Sequence, residues 1–260
     1  MVKIPYNTLY SNDPEEQSLA PVQAAAFPKP MLKCWHMLTL DEIPLFQGLT
    51  QKETEWLRSR LYQRVFPLGM EVMASGSPGE FVYVILSGTM KVFAPQLDGS
   101  DVILAILGPG DPVGEMSVVD QAGRSATVIT LEESTVLWMN RADFQDALRT
   151  VPRISQNLLQ ILSNRLRSST GQIQALAALD VNRRVVRQLL NFADRYGRPG
   201  PHGEIIIPLR LTQNDLAELV GASRKRVNQV IVFLKQNGWI AIDAGYHITL
   251  YDLSALRNLQ

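Results

Sequence analysis

The sequence predicts an α+β protein: an N-terminal roll of short β-strands, one long helix, and a C-terminal helix-turn-helix closed by a β-hairpin wing. Three observations carry that prediction. From Tyr62 to Met139, short apolar or alternating segments recur between glycine turns, the pattern of a small β-barrel or β-roll. From Pro152 to about Leu179 the spacing becomes helical and stays so. Beyond Val181, short helices meet at a tight glycine turn, and Trp239–Ile242 with Tyr246–Leu250 follow as two strands.

Each element has its own signal. Residues 1–38 hold Pro5, Pro14, Pro21, Pro28 and Pro30 with no sustained period, so they are expected as a flexible tail with at most a short helix near Met31–Met37. Within 39–57 lie two helix starts, and Thr50 with Glu53 forms a capping-box pattern. In the roll, Phe81–Leu86, Met90–Phe93, Val102–Leu107 and Ala126–Thr130 are the strands. Ser87-Gly88, Asp98-Gly99 and Gly108–Asp111 are the turns. Arg141–Thr150 is a short helix ended by Pro152, which completes a segment expected at 39–150.

The long helix, at 151–180, carries Leu159, Leu162, Leu166, Ser169, Ile173 and Leu176 at alternating spacings of three and four. Such a narrow seam suits a second copy of the same helix, so a homodimer is expected; packing of this face on the chain's own roll is the alternative. Ser169 stands in the seam where Leu would hold two helices together better. A bound ligand or a register-setting hydrogen bond would each account for it.

Composition limits the function classes. At 46% hydrophobic and 19% charged, the 260 residues can bury a core without metal or disulfide support. No apolar run spans a bilayer and no leader pattern is seen, so a cytoplasmic protein with no membrane partner is expected. Cys34 is alone, which excludes an internal disulfide and a Cys-rich cluster. No nucleophile–base set, metal-ligand spacing or phosphate loop occurs, so no enzyme and no prosthetic group are expected.

The net charge of zero divides unevenly. Residues 181–260 carry 11 Lys and Arg against 6 Asp and Glu, a difference of +5, and the remainder carries the opposite excess. A basic C-terminal module at 181–260 suits a polyanion. There Thr212 with Asp215 caps one helix, Gly221 turns the chain, and Ser223 caps the next. The outer face of that second helix opens with Arg224, Lys225, Asn228 and Gln229. Arg and Lys can donate to guanine O6 and N7, and Asn or Gln can pair with adenine. Arg226 and Thr212 are placed to meet phosphates. Double-stranded DNA is the expected partner; a merely solvated basic face is the competing reading.

In the roll, Gly114-Glu115-Met116 and Arg124-Ser125-Ala126 stand together in one polar stretch. The Gly-Glu turn offers bare N–H groups and a carboxylate, Arg124 a fork-shaped cation for a phosphate, and Ser125 a hydroxyl. An internal Glu–Arg ion pair would explain the same residues.

From about Leu40 onward the chain resembles the Crp–Fnr family of regulators. The resemblance is carried by these two triplets, by Ala178-Leu179-Asp180-Val181, and by Gly221-Ala222-Ser223-Arg224. It implies a cyclic-nucleotide-binding β-roll, a winged helix-turn-helix and a homodimer. It also implies that Glu115 holds a ribose 2′-hydroxyl, that Arg124 and Ser125 hold a cyclic phosphate, and that Ser169 and Thr170 meet the base, one from each subunit. The effector implied first is cAMP, with cyclic di-GMP or no effector as alternatives; RNA polymerase or another protein is a further partner to consider. Gly171 softens the helix beside the base pair of hydroxyls, by roughly 1 kcal/mol relative to Ala, so the seam could rearrange there. Three departures stand out: Pro112 replaces an aromatic before the cassette glycine, and Lys225 and Gln229 replace an acidic residue and an arginine. The preferred DNA half-site therefore differs from that of the best-known members.

Overall fold

The computed structural model describes residues 40–95 and 101–259. The expected tail, its helix near 31–37 and the Asp98-Gly99 turn lie outside the described residues. Two 3-10 turns, Leu40–Glu42 and Pro44–Phe46, lead into helix α1 (Gln51–Arg58). Its capping box forms as the sequence predicts: the Thr50 hydroxyl accepts from the Glu53 amide and the Glu53 carboxylate accepts from the Thr50 amide at 2.7 Å.

The roll is two four-stranded antiparallel sheets. One orders β1 (Tyr62–Phe66), β8 (Ser134–Asn140), β3 (Phe81–Ser87) and β6 (Pro112–Val113). The other orders β2 (Glu71–Met73), β7 (Thr127–Thr130), β4 (Met90–Pro95) and β5 (Asp101–Leu107). β3 is buried along most of its length, which is why it reads as a continuous apolar run rather than an alternation. The sequence reading misses β2 and β6, which are too short to show a period, and a one-turn helix α2 (Met116–Val119). Phe66, Tyr83, Ile85, Met90 and Val136 form part of the core between the sheets.

Helix α3 (Arg141–Thr150) ends before Pro152, and α4 (Pro152–Ala178) runs for 27 residues. Ile154 and Leu158 bury against the roll, and Ile161 and Leu162 pack at the edge of the same core. The face carrying Leu159, Leu166 and Ile173 stays uncovered at 66–69% exposure. So the two candidate uses of this helix fall on different sides of it, and Leu162 belongs partly to the roll side.

Helix α5 (Val181–Tyr196) begins at the Asp180 cap and buries Val185, Val186, Leu189 and Phe192. The C-terminal sheet orders β11 (Ile240–Ile242), β12 (Ile248–Leu250), β10 (Ile205–Ile207) and β9 (Arg198–Pro199). The expected hairpin is β11–β12; β9 and β10 extend it. Between them lie α6 (Gln213–Leu219) and α7 (Arg224–Gln236), and α8 (Leu253–Asn258) follows.

This C-terminal module is docked on the roll. Ile103 and Ile106 of the edge strand β5 share one core with Val185, Leu189, Leu209 and Leu216. That contact covers an edge strand that would otherwise present unpaired backbone groups. Polar ties flank it: the Arg210 amide donates to Thr89 Oγ1 at 3.0 Å, and Lys91 lies 3.9 Å from Glu218.

Candidate functional site: a cassette pocket and a helix-turn-helix

The turn after β6 positions the cassette. Gly114 holds φ at +81°, and a Cβ there would lie 2.3 Å from an Arg124 guanidinium nitrogen, so both conformation and space call for glycine. Glu115 follows as the N-cap of α2 and is 1% exposed. Burial pushes its carboxyl above the ordinary value, and the guanidinium of Arg165 pulls the other way. Arg165 Nη1 donates to Glu115 Oε1 at 2.7 Å while Nη2 donates to the Pro112 carbonyl at 2.6 Å.

The Glu–Arg ion pair anticipated within the cassette therefore exists with a different arginine. Arg165 sits on α4, 50 residues away in sequence, so spacing within the cassette gives no sign of it. Arg124, 6% exposed, instead donates to the carbonyls of Gly114 and Phe81, each at 2.7 Å, and to Ser117 Oγ at 2.8 Å. Burial lowers its pKa from the ordinary value. Ser117, also missed from sequence, thus braces the arginine from α2. These bonds fix the guanidinium against the cassette turn.

A pocket of about 70 Å³ brings together Gly114, Glu115, Met116, Arg124, Ser125, Ala126 and, from α4, Arg165. Ser125 and Met116 are exposed at its mouth and Ala126 is buried at its wall. Ser169 lines an adjoining cavity. Thr170 is exposed, and its hydroxyl donates to the Leu166 carbonyl at 2.9 Å. The structure thus gathers six cassette residues with Ser169 nearby and leaves Thr170 on an open helix face.

At the other end of the molecule, the two caps of the helix-turn-helix form as expected. Thr212 and Asp215 make a reciprocal capping box, and the Ser223 side chain accepts from the Arg226 amide. Gly221 turns the chain at φ +61°. Val227, Val230, Ile231 and Leu234 bury the inner face of α7. On its outer face Arg224, Lys225, Arg226, Asn228 and Gln229 are all exposed. Their freedom differs. The Arg226 guanidinium donates to Gln229 Oε1 at 3.0 Å, and Asn228 Oδ1 accepts from Gln213 at 2.9 Å. Arg224 and Lys225 have no such tie among the described residues. The Thr212 hydroxyl is committed to Asp215, which competes with the phosphate contact expected of it.

No helix of the described residues is long and apolar enough to cross a membrane. Two known families match the two parts of the chain that carry these residues. Residues 63–151 match the family described as "Cyclic nucleotide-binding domain", and residues 183–259 match "Crp-like helix-turn-helix domain". The chain is 35% identical over 221 residues to a CRP-like cAMP-activated global transcriptional regulator of Mycobacterium tuberculosis, covering 84% of this chain and 98% of that one. Among solved structures, FixK2 from Bradyrhizobium japonicum shares the fold at a TM-score of 0.67 and 20% identity, covering 77% of this chain and 97% of that one. The c-di-GMP responsive global regulator CLP of Xanthomonas campestris aligns at a TM-score of 0.62 and 25% identity, covering 78% of this chain and all of CLP. Ligand domain, long helix and helix-turn-helix occur here in one chain along nearly the whole length of these relatives, and this protein belongs to the Crp–Fnr family of transcription regulators, which are not enzymes.

Proposed function

We propose that the chain is a cytoplasmic, homodimeric regulator whose sequence-specific DNA binding is set by a cyclic nucleotide, cAMP first, held in the cassette. Residues 39–150 are the sensor, 151–180 the dimerisation helix and 181–260 the DNA reader. The observation that carries this reading is the turn of Gly114 and the buried Glu115, clamped by Arg124 and open to α4 through Arg165.

In this reading Glu115 accepts from a ribose hydroxyl, a role that competes with Arg165 for the same carboxylate. Ligand binding therefore tugs on α4. Arg124 and Ser125 face the cyclic phosphate, and Ser169 faces the base; Thr170 serves the partner subunit's ligand. Two α4 helices pack along Leu159, Leu166, Ile173 and Leu176, all exposed in the single chain. A shift in that seam reorients two recognition helices for half-sites about one DNA turn apart. Arg224 and Lys225 lead the reading of base edges.

A second reading has support of its own. The Arg124 nitrogens Nη1 and Nη2 already serve three protein acceptors, which leaves less of the fork for a phosphate. The likeness to a c-di-GMP responsive relative points to a different effector in the same place. Calorimetric titration with cAMP, cGMP and cyclic di-GMP separates the readings. Saturable cAMP binding that Glu115→Ala removes supports the first, and binding of the dinucleotide alone supports the second. Silence with all three overturns nucleotide gating.

A further inference from the structure

The outer face of α7 holds two carboxamides, and each is tied at its oxygen. Gln229 Oε1 accepts from Arg226 Nη1 at 3.0 Å, one turn back on the same helix. Asn228 Oδ1 accepts from Gln213 Nε2 at 2.9 Å, across to α6. The first tie draws Gln229 to an arginine expected at the phosphates. The second joins two helices, and Gln213 has no role in the DNA reading described so far.

Gln213 is the first residue of α6, and the Thr212–Asp215 capping box fixes where that helix begins. α6 and α7 share one core through Leu216, Ala217, Val227 and Ile231, and the Ala222 amide donates to the Ala217 carbonyl at 2.9 Å inside the turn. Donor and acceptor therefore stand on two packed helices rather than on loose chain. Asn214 does not compete for the tie, because its carboxamide donates to Glu218 on its own helix. α7 contains no Asp or Glu, so no carboxylate of that helix draws Gln213 Nε2 away from Asn228.

We infer that Gln213 sets the base preference of the recognition helix by turning the Asn228 oxygen toward α6, which leaves the Asn228 amino group to read DNA. Gln213 is thus a positioning residue that acts through Asn228, and the inference rests on the DNA-reading role proposed for α7. Pairing of an asparagine with adenine uses both ends of the carboxamide, the oxygen at N6 and the amino group at N7. An oxygen held on α6 does not turn to N6, so adenine loses half of that pair. Guanine offers two acceptors, O6 and N7, and thymine offers O4, whereas cytosine offers only the N4 donor. The base that Asn228 reads is therefore guanine first and thymine next. Arg224 and Lys225 are also donors only, so the exposed start of α7 meets acceptor edges throughout. An exposed hydrogen bond is weak in water, but DNA displaces that water and strengthens the tie.

The test is selection of sites from duplexes randomised across both half-sites, using the full chain with and without cAMP. Fluorescence anisotropy on the enriched duplex and its single-base variants follows. Wild type is compared with Asn228→Ala, Gln213→Ala, Gln213→Glu and the double variant Gln213→Glu/Asn228→Ala. The base step that loses its preference in Asn228→Ala is the one that Asn228 reads. In the wild type that step should hold guanine or thymine, preferred roughly tenfold over adenine and cytosine. A carboxylate only accepts, so in Gln213→Glu the Asn228 amide turns over and its oxygen faces DNA. Preference at that one step should then pass to adenine or cytosine, whose N6 and N4 groups donate. Glu is favourable in the first turn of a helix, so the fold is kept. Its charge weakens all sequences together, and the readout is the ratio between bases. Gln213→Ala frees both ends of the carboxamide and should admit adenine at the same step. In the double variant that step should show no preference. Adenine or cytosine at the step in the wild type overturns the inference. So does a Gln213→Glu protein that loses affinity on every sequence with its ratios unchanged. A shift that survives in the double variant also overturns it, since Gln213 would then touch the base itself. An Asn228→Ala protein with wild-type preference at every step overturns the inference and leaves DNA reading by α7 standing. A wild type that enriches no sequence overturns both.

Discussion

In the proposed reading Arg124 both holds the ligand and braces the cassette turn, and its substitutions should show both. It is nearly buried and bonds two carbonyls and a hydroxyl, so Arg124→Ala removes ligand affinity and also destabilises the fold by about 1–3 kcal/mol, the range for losing hydrogen bonds to a charged group. Ser125 is exposed, so Ser125→Ala weakens ligand binding while leaving stability within about 0.5 kcal/mol. Urea unfolding beside ligand titration checks the pair; an Arg124→Ala chain as stable as wild type contradicts the bracing role. Glu115 gives a second residue-scale prediction. Burial raises its carboxyl above the ordinary 4.5, so just above that pH the folded chain binds more protons than the unfolded one. Its contribution to stability therefore falls as pH rises from 4.5 through the folded value. Glu115→Gln, uncharged throughout, should lack that decline, and parallel stability–pH curves for the two proteins would argue against it. The cassette residues were legible in sequence because they lie within 13 positions of one another, Gly114 to Ala126. Arg165 was not: an ion pair bridging strand-end and helix across 50 residues leaves no local period.

Elements meet at a buried clasp that the sequence reading overlooked. The Asp111 carboxylate, in the turn before β6, accepts from Tyr196 Oη at 2.6 Å, from the Gly108 amide at 3.0 Å, and from Arg195. Burial and the neighbouring Asp111 charge hold the Tyr196 hydroxyl well above its ordinary pKa, so it stays a donor. The clasp ties the end of α5 to the cassette turn three residues before Gly114. Tyr196→Phe and Asp111→Asn should each destabilise the chain by about 1–3 kcal/mol, and the double variant should cost less than their sum, since the two changes remove one shared bond. Additive losses would separate the residues. Single helices and the longer strands were legible because their periods and caps are local; α3 has the bounds that the sequence predicts. Docking of α6 on β5 was not, because Ile103 and Ile106 read equally well as core of the roll alone. For α4 the seam supplies its own test. Leu166 is 69% exposed, so Leu166→Glu should leave the fold of the single chain intact and shift its mass in sedimentation from dimer to monomer. An unchanged dimer would move the interface elsewhere.

At the scale of the molecule, the charge division connects the two ends. The C-terminal 80 residues carry +5 and the rest −5, so DNA is drawn to one end of a chain that is neutral overall. Phosphate contacts release counterions, and the logarithm of affinity should fall linearly with the logarithm of salt, at a slope near −0.9 for each phosphate neutralised. In the proposed reading Arg224 and Lys225, exposed and untied at the start of α7, read bases, and Arg226 meets a phosphate. The two roles predict different losses. Arg224→Ala should cost about 1–3 kcal/mol on the preferred site, with little change on random DNA or in the salt slope. Arg226→Ala should weaken all sequences alike and make the slope shallower by about one contact. Fluorescence anisotropy on specific and scrambled duplexes across a salt series measures both. Reversal of the two patterns would turn the recognition helix about its axis, and Gln229, now held by Arg226, would then be the residue facing the phosphates.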